Sequence, residues 1–121
     1  MFSLVHHLDY TIRQQSGASF PWDKYRLVVE MLRADPHPPV EHQAPAMPRE
    51  WLEAVHDPTY VEQVLTCAVP REKERRIGFP VTQTLSSRVQ RTSGGTWLAA
   101  RLALEQGYAA NGAGGSHHAL H

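Results

Sequence analysis

Phe2-Ser3-Leu4-Val5 is the first apolar run of the chain, short enough for a strand, and it leads into His6-His7. Residues 8–19 are polar, contain Gly17 and show no period, which predicts a loop. Phe20-Pro21-Trp22-Asp23 then opens a helix in which Tyr25, Val28, Val29 and Leu32 recur at i, i+3, i+4 and i+7, a face suited to packing on a core. Pro36 breaks that helix. Pro36, Pro38, Pro39, Pro45 and Pro48 predict an extended, surface-lying stretch from Asp35 to Pro48.

Two short helices follow. Pro48 suits the first turn of one that runs through Trp51, Leu52 and Val55. Asp57-Pro58 supplies a carboxylate cap, then a proline where the missing N–H is harmless, and opens a helix with Tyr60, Val61, Val64 and Leu65 on one side. Residues 70–76 are densely charged and predict a solvated helix that stops at Gly78-Phe79-Pro80. Thr82 or Thr84 caps a longer helix reaching Gln106, with Gly107 as its left-handed terminal residue. Gly94-Gly95 inside it costs about 2 kcal/mol relative to alanine, which predicts close packing against another backbone. Tyr108-Ala109-Ala110 reads as a buried strand, and the glycine-rich segment from Gly112 to Gly115 leads to His117-His118. Strand, helices, strand and glycine loop, in that order, predict an α/β fold with the loop at the carboxyl end of a parallel sheet, where ligands bind.

Composition narrows the function classes. Twelve Lys and Arg balance twelve Asp and Glu over 121 residues, so the chain has no electrostatic footprint for direct nucleic-acid or anionic-membrane binding. Its apolar runs are far shorter than the roughly 20 residues that span a bilayer. Residues 1–10 have neither a basic nor a long apolar region of the secretory kind, so the expected location is cytoplasmic. The single cysteine, Cys67, excludes an internal disulfide and a multi-cysteine zinc site, and its place in a helical pattern predicts a small core residue. Trp22, Trp51 and Trp97 fit apolar roles on helices, His6-His7 a structural one, and His37 and His42, among prolines, a solvated loop.

The segment Ala113-Gly114-Gly115-Ser116-His117-His118-Ala119 carries the chemistry. Adjacent residues of an extended chain point to opposite sides, which makes a poor bidentate metal clamp. Glycines permit a bend and a close approach to substrate, so one imidazole can serve as general base while a protonated neighbour stabilises charge. On motif grounds alone, surface or structural histidines are the commoner reading of such a pair.

The wider pattern resembles the histone deacetylase family of zinc-dependent amide hydrolases, particularly its bacterial, acetoin-utilisation-like branch. The resemblance rests on Phe20-Pro21-Trp22-Asp23-Lys24-Tyr25, Val55-His56-Asp57-Pro58-Thr59-Tyr60-Val61, Arg75-Arg76-Ile77-Gly78-Phe79-Pro80, Gly94-Gly95-Thr96 and residues 111–119, in that order. It implies the N-terminal part of an arginase- and deacetylase-like parallel sheet with flanking helices, incomplete in residues 1–121. It also implies that His118 is the general base, that His117 is its electrostatic partner, and that Gly114 and Gly115 shape the floor of an acyl-lysine tunnel. In the family the zinc ligands, two aspartates and a histidine, lie downstream of the histidine pair, and an oxyanion-stabilising tyrosine lies further still. The resemblance therefore implies a zinc cofactor with no ligand in this chain.

The expectation is a deacetylase portion ending just after the histidine pair, inactive alone, whose parent hydrolyses N-acetyl amides of lysine or polyamines. Its helices at Tyr25–Leu32 and Tyr60–Leu65 would lack part of the sheet they normally cover, leaving exposed patches and unpaired strand edges. The rival is a non-catalytic module that binds a partner through those apolar faces. No pattern in the chain specifies an oligomer or selects the acyl group.

Overall fold

A computed structural model describes residues 2–11, 23–78 and 80–114. Strand β1 (Ser3–His6) is followed by a single 3-10 turn at Leu8–Tyr10, and helix α1 spans Lys24–Arg33. Strand β2 (Val40–Gln43), helices α2 (Arg49–Val55), α3 (Pro58–Leu65), α4 (Arg71–Ile77) and α5 (Gln83–Gln106), and strand β3 (Ala109–Asn111) complete the order. The strands form one parallel sheet in the order β2-β1-β3, with Leu4 in register with Glu41 and Ala110. The α/β fold class holds.

Local chemistry explains most boundaries. The Asp57 carboxylate accepts from the backbone N–H of Thr59 at 2.8 Å and of Tyr60 at 3.4 Å, and Pro58 occupies the first turn of α3. Thr82, the first of the two expected caps, accepts from the Leu85 N–H at 3.2 Å and opens α5. That helix ends at Gly107, whose φ of 98° favours a residue without a side chain. The charged run forms α4, and Gly78 terminates it in the left-handed conformation. Pro48 sits one place earlier than expected, as the cap of α2, where its carbonyl accepts from Trp51 and Leu52.

Three expectations are corrected. The proline-rich stretch is extended, but part of it is β2, an edge strand whose alternation of Val40, Glu41, His42 and Gln43 lacks an apolar run. The last strand begins at Ala109, because Tyr108 lies outside it and is 62% exposed. Cys67 is not helical: it follows the C-cap Thr66 with φ 57°, half-buried, its thiol 3.7 Å from the Gln83 side-chain oxygen.

Two clusters make the core. Val5, Tyr10, Ala44, Ala99 and Leu102 join the sheet to α5, while Val69, Val81 and Leu85 gather beneath α4 and the start of α5. Tyr25 of α1 packs against both, so it links the sheet core to the helical one. No helix among the described residues is long and apolar enough to cross a membrane.

Candidate functional site

The carboxyl ends of the three strands converge on the edge where open parallel sheets bind ligands. Ladder-like backbone bonds extend the sheet there: Ala44 N–H donates to the His6 carbonyl at 2.9 Å, and Gly112 N–H donates to Val5 at 2.8 Å. Gly112, Ala113 and Gly114 carry the chain away from β3. Gly114 is exposed, and a Cβ built on it would meet nothing within 4 Å. Gly115, His117 and His118 lie outside the described residues, as do Phe20, Pro21, Trp22 and Phe79.

Behind this edge lies a connected polar network. The Tyr10 hydroxyl donates to Asn111 Oδ1 at 2.7 Å, and the Asn111 amide donates to the Thr92 carbonyl at 3.2 Å and to Thr96 Oγ1 at 3.0 Å. Arg88, itself buried, donates through Nε to the Tyr10 carbonyl at 2.9 Å and lays its guanidinium 4.6 Å from the Tyr25 ring centre. Burial pushes the Tyr10 phenol up to about 12, although the Asn111 bond and the Arg88 charge oppose the rise. The same desolvation lowers the Arg88 pKa from its ordinary value.

The glycine pair explains how α5 fits so close. A Cβ on Gly95 would overlap the Tyr10 hydroxyl and the Asn111 side chain, and one on Gly94 would overlap the Pro45 carbonyl. The close approach expected of Gly94-Gly95 is therefore to backbone at one glycine and to a polar side-chain pair at the other. Around them Arg91 Nη1 donates to the Ala44 carbonyl at 3.0 Å, and Met47 N–H to the Gln90 carbonyl at 3.0 Å, which fixes the chain after β2 on α5.

A second group sits at the outer side of the edge. His6 Nε2 lies 2.6 Å from Glu41 Oε1, and Arg33 from the end of α1 grips both oxygens of that carboxylate. Hydrogen bonding to Arg33 is the main reason the Glu41 carboxyl falls to about 2. His7 caps the 3-10 turn by accepting the Asp9 N–H at 3.0 Å on Nδ1, and burial holds its pKa below the usual histidine value against the pull of Asp9. Both histidines thus have structural partners, as expected. His37 is exposed, but His42 is half-buried on β2, and its Nε2 has no hydrogen-bond partner among the described residues.

Among the described residues no group of three or more His, Cys, Asp or Glu side chains could hold a metal ion. The nitrogen and oxygen donors nearest the sheet edge are already committed, His6 to Glu41 and His7 to the Asp9 backbone. These residues do not fit a zinc centre, and no chemical step is assigned through one.

The family comparison decides what this arrangement belongs to. A sequence model described as the histone deacetylase domain matches residues 19–121. The chain belongs to the histone deacetylase family. It is also 39% identical, over 121 residues and 98% of its length, to an uncharacterized protein of Picosynechococcus sp. (strain ATCC 27264 / PCC 7002 / PR-6). The match covers 40% of that protein, so this deacetylase-family chain spans less than half of its relative's length. Sequence reasoning flagged the glycine loop and the glycine pair, but it missed Tyr10, Thr92 and the Glu41–Arg33 pair. Gly94-Gly95 hinted at Tyr10 alone, by requiring something to fill the space that an absent side chain leaves at Gly95.

Proposed function

We propose that residues 1–121 form the N-terminal portion of a zinc-dependent deacetylase domain. The whole domain hydrolyses N-acetyl amides, of acetyl-lysine or an acetylated polyamine, to acetate and the free amine. The observation that carries this reading is the exit of the glycine loop from the carboxyl end of β3, inside the region that the deacetylase-domain model matches. In sequence, that loop leads within a few residues to His117 and His118.

In this reading His118 takes a proton from the attacking water and returns it to the leaving amine, while a charged His117 stabilises the oxyanion's surroundings. Gly114 and Gly115 leave room for the acyl chain at the tunnel floor. Zinc would be held by residues other than the described ones, and the 121-residue chain alone is inactive.

The test is acetate release from an N-acetyl-lysine peptide and from an N-acetylated polyamine, with zinc present. Residues 1–121 alone should release none. The chain joined to a downstream segment supplying two aspartates, a histidine and a tyrosine should release acetate and lose the activity to a chelator. An extended, folded, zinc-loaded protein that stays inert on both substrates would refute the reading.

One observation favours a second reading. Leu27, Val28 and Met31 of α1 are 46%, 46% and 75% exposed, an apolar surface that a binding module could offer to a partner. That reading requires the 121-residue chain to be soluble and to unfold cooperatively, with stability unaffected by chelators.

A further inference from the structure

Asn111 is the last residue of β3, and its side chain ties that strand end to two other elements. Its oxygen accepts from Tyr10, the last residue of the 3-10 turn after β1, and its two amide hydrogens reach Thr92 and Thr96 on α5. Both donors and one acceptor position of the amide are therefore used, which fixes its plane. Tyr10 is 2% exposed, its backbone carbonyl accepts from Arg88, and its hydroxyl lies 2.7 Å from Asn111 Oδ1 and 3.3 Å from the Arg91 carbonyl, so the phenol is held at both ends. An apolar pair could fill the same volume. A polar pair that demands a glycine beside it adds direction as well as packing.

Its position gives that direction a use. Gly112, the next residue, is bonded to Val5, and two residues later the chain is at Gly114, exposed and in open space. We propose that Tyr10 and Asn111 are positioning residues, a clamp that sets the angle at which the chain leaves the sheet towards His117 and His118. The use of those histidines in hydrolysis rests on the proposed function; the clamp itself does not. It touches no reacting atom.

The experiment is Tyr10→Phe in the full 121-residue chain, read by amide hydrogen exchange and by NMR titration of the histidine rings. Losing one buried bond should speed exchange at the Gly112 amide about tenfold, equivalent to ~1.4 kcal/mol. The Val40 and Ala44 amides on the other side of β1 should keep their rates. The His117 and His118 titration curves should shift, whereas that of exposed His37 should not. Thr96→Ala, at an exposed position that removes only one partner of Asn111, should act in the same direction with a smaller effect.

Exchange that rises equally at Gly112, Val40 and Ala44 in both variants would overturn the clamp, and so would superimposable His117 and His118 curves. None of these readouts needs turnover. A clamp that passes beside an inert extended enzyme would sink the deacetylase reading alone, and an active enzyme with an unresponsive loop would sink the clamp alone.

Discussion

Helices α1 and α5 invert what their sequences suggest. In α1 the apolar residues are plentiful and regularly spaced, yet only Val29 is buried, and Val28, on the same expected face, is 46% exposed. In α5 the buried positions include Ser86, Arg88, Thr92, Gly94 and Gly95, which a hydropathy pattern would send to solvent. The cause is the distance of approach. α5 lies against the sheet and against the chain after β2, so small residues are what fit, and the side chains of Arg88, Arg91 and Thr96 find partners in Tyr10, Ala44 and Asn111. α1 meets the two core clusters through Tyr25, Val29 is its one buried residue, and Leu27, Val28 and Met31 stay 46%, 46% and 75% exposed. Burial follows the surface a helix meets, and an apolar stripe states only what it could bury.

The largest effect that would break this contrast is at Gly94. Helix propensity alone says that Gly94→Ala should stabilise by about 1 kcal/mol. The overlap with the Pro45 carbonyl, a backbone atom that cannot rotate aside, says that it should destabilise by about 3 kcal/mol, at the upper end for overpacking. Urea denaturation decides, and a stabilised variant would mean that α5 does not lie as close as described.

Next comes a paired truncation. Leu102→Ala on α5 should cost about 2–5 kcal/mol, whereas Met31→Ala on α1, 75% exposed, should stay within about 0.5 kcal/mol. Equal losses would erase the difference between the helices. Replacing Leu27 and Met31 by lysine should leave the unfolding midpoint nearly unchanged and raise solubility, as measured by light scattering. A large loss of stability would show that the α1 surface is already packed.

The smallest effects are electrostatic. His7 titrates below its unfolded value of 6.5, so the folded state binds fewer protons there, and its contribution is lost as pH falls below that value. Glu41 contributes above its unfolded 4.5 and loses that contribution as pH falls through about 2. Acid should therefore weaken the fold in two steps, visible in thermal melts as a function of pH. Arg33→Ala should flatten the lower step and change stability at neutral pH little, because the pair faces solvent.

Much of this architecture was legible in the chain. Asp57-Pro58, Thr82 and Gly107 act locally, through caps and backbone conformation, and each marks its boundary within a residue of where the sequence places it. Strand β2 was not legible, because an edge strand is held by backbone bonds and its side chains, Val40 to Gln43, need no apolar pattern. Cys67 escaped for a related reason: the left-handed step after α3 is set by chain reversal, with no glycine to announce it. At the candidate site the glycines were legible as punctuation and the histidine pair as chemistry. The bond between Tyr10 and Asn111 was not, since it joins positions about 100 residues apart and exists only once α5 has brought them together.

Under the proposed function, the carboxyl edge of the sheet β2-β1-β3 is one wall of a deacetylase site whose zinc ligands lie downstream of the histidine pair. The most direct measurement is to read the nucleotides beyond codon 121 in all three frames. Two aspartates and a histidine with zinc-ligand spacing, followed by a tyrosine, in any frame, is the predicted result. A reading that contains none of them in any frame would contradict the account, and the exposed α1 surface would then have to be explained as the working surface of a binding protein.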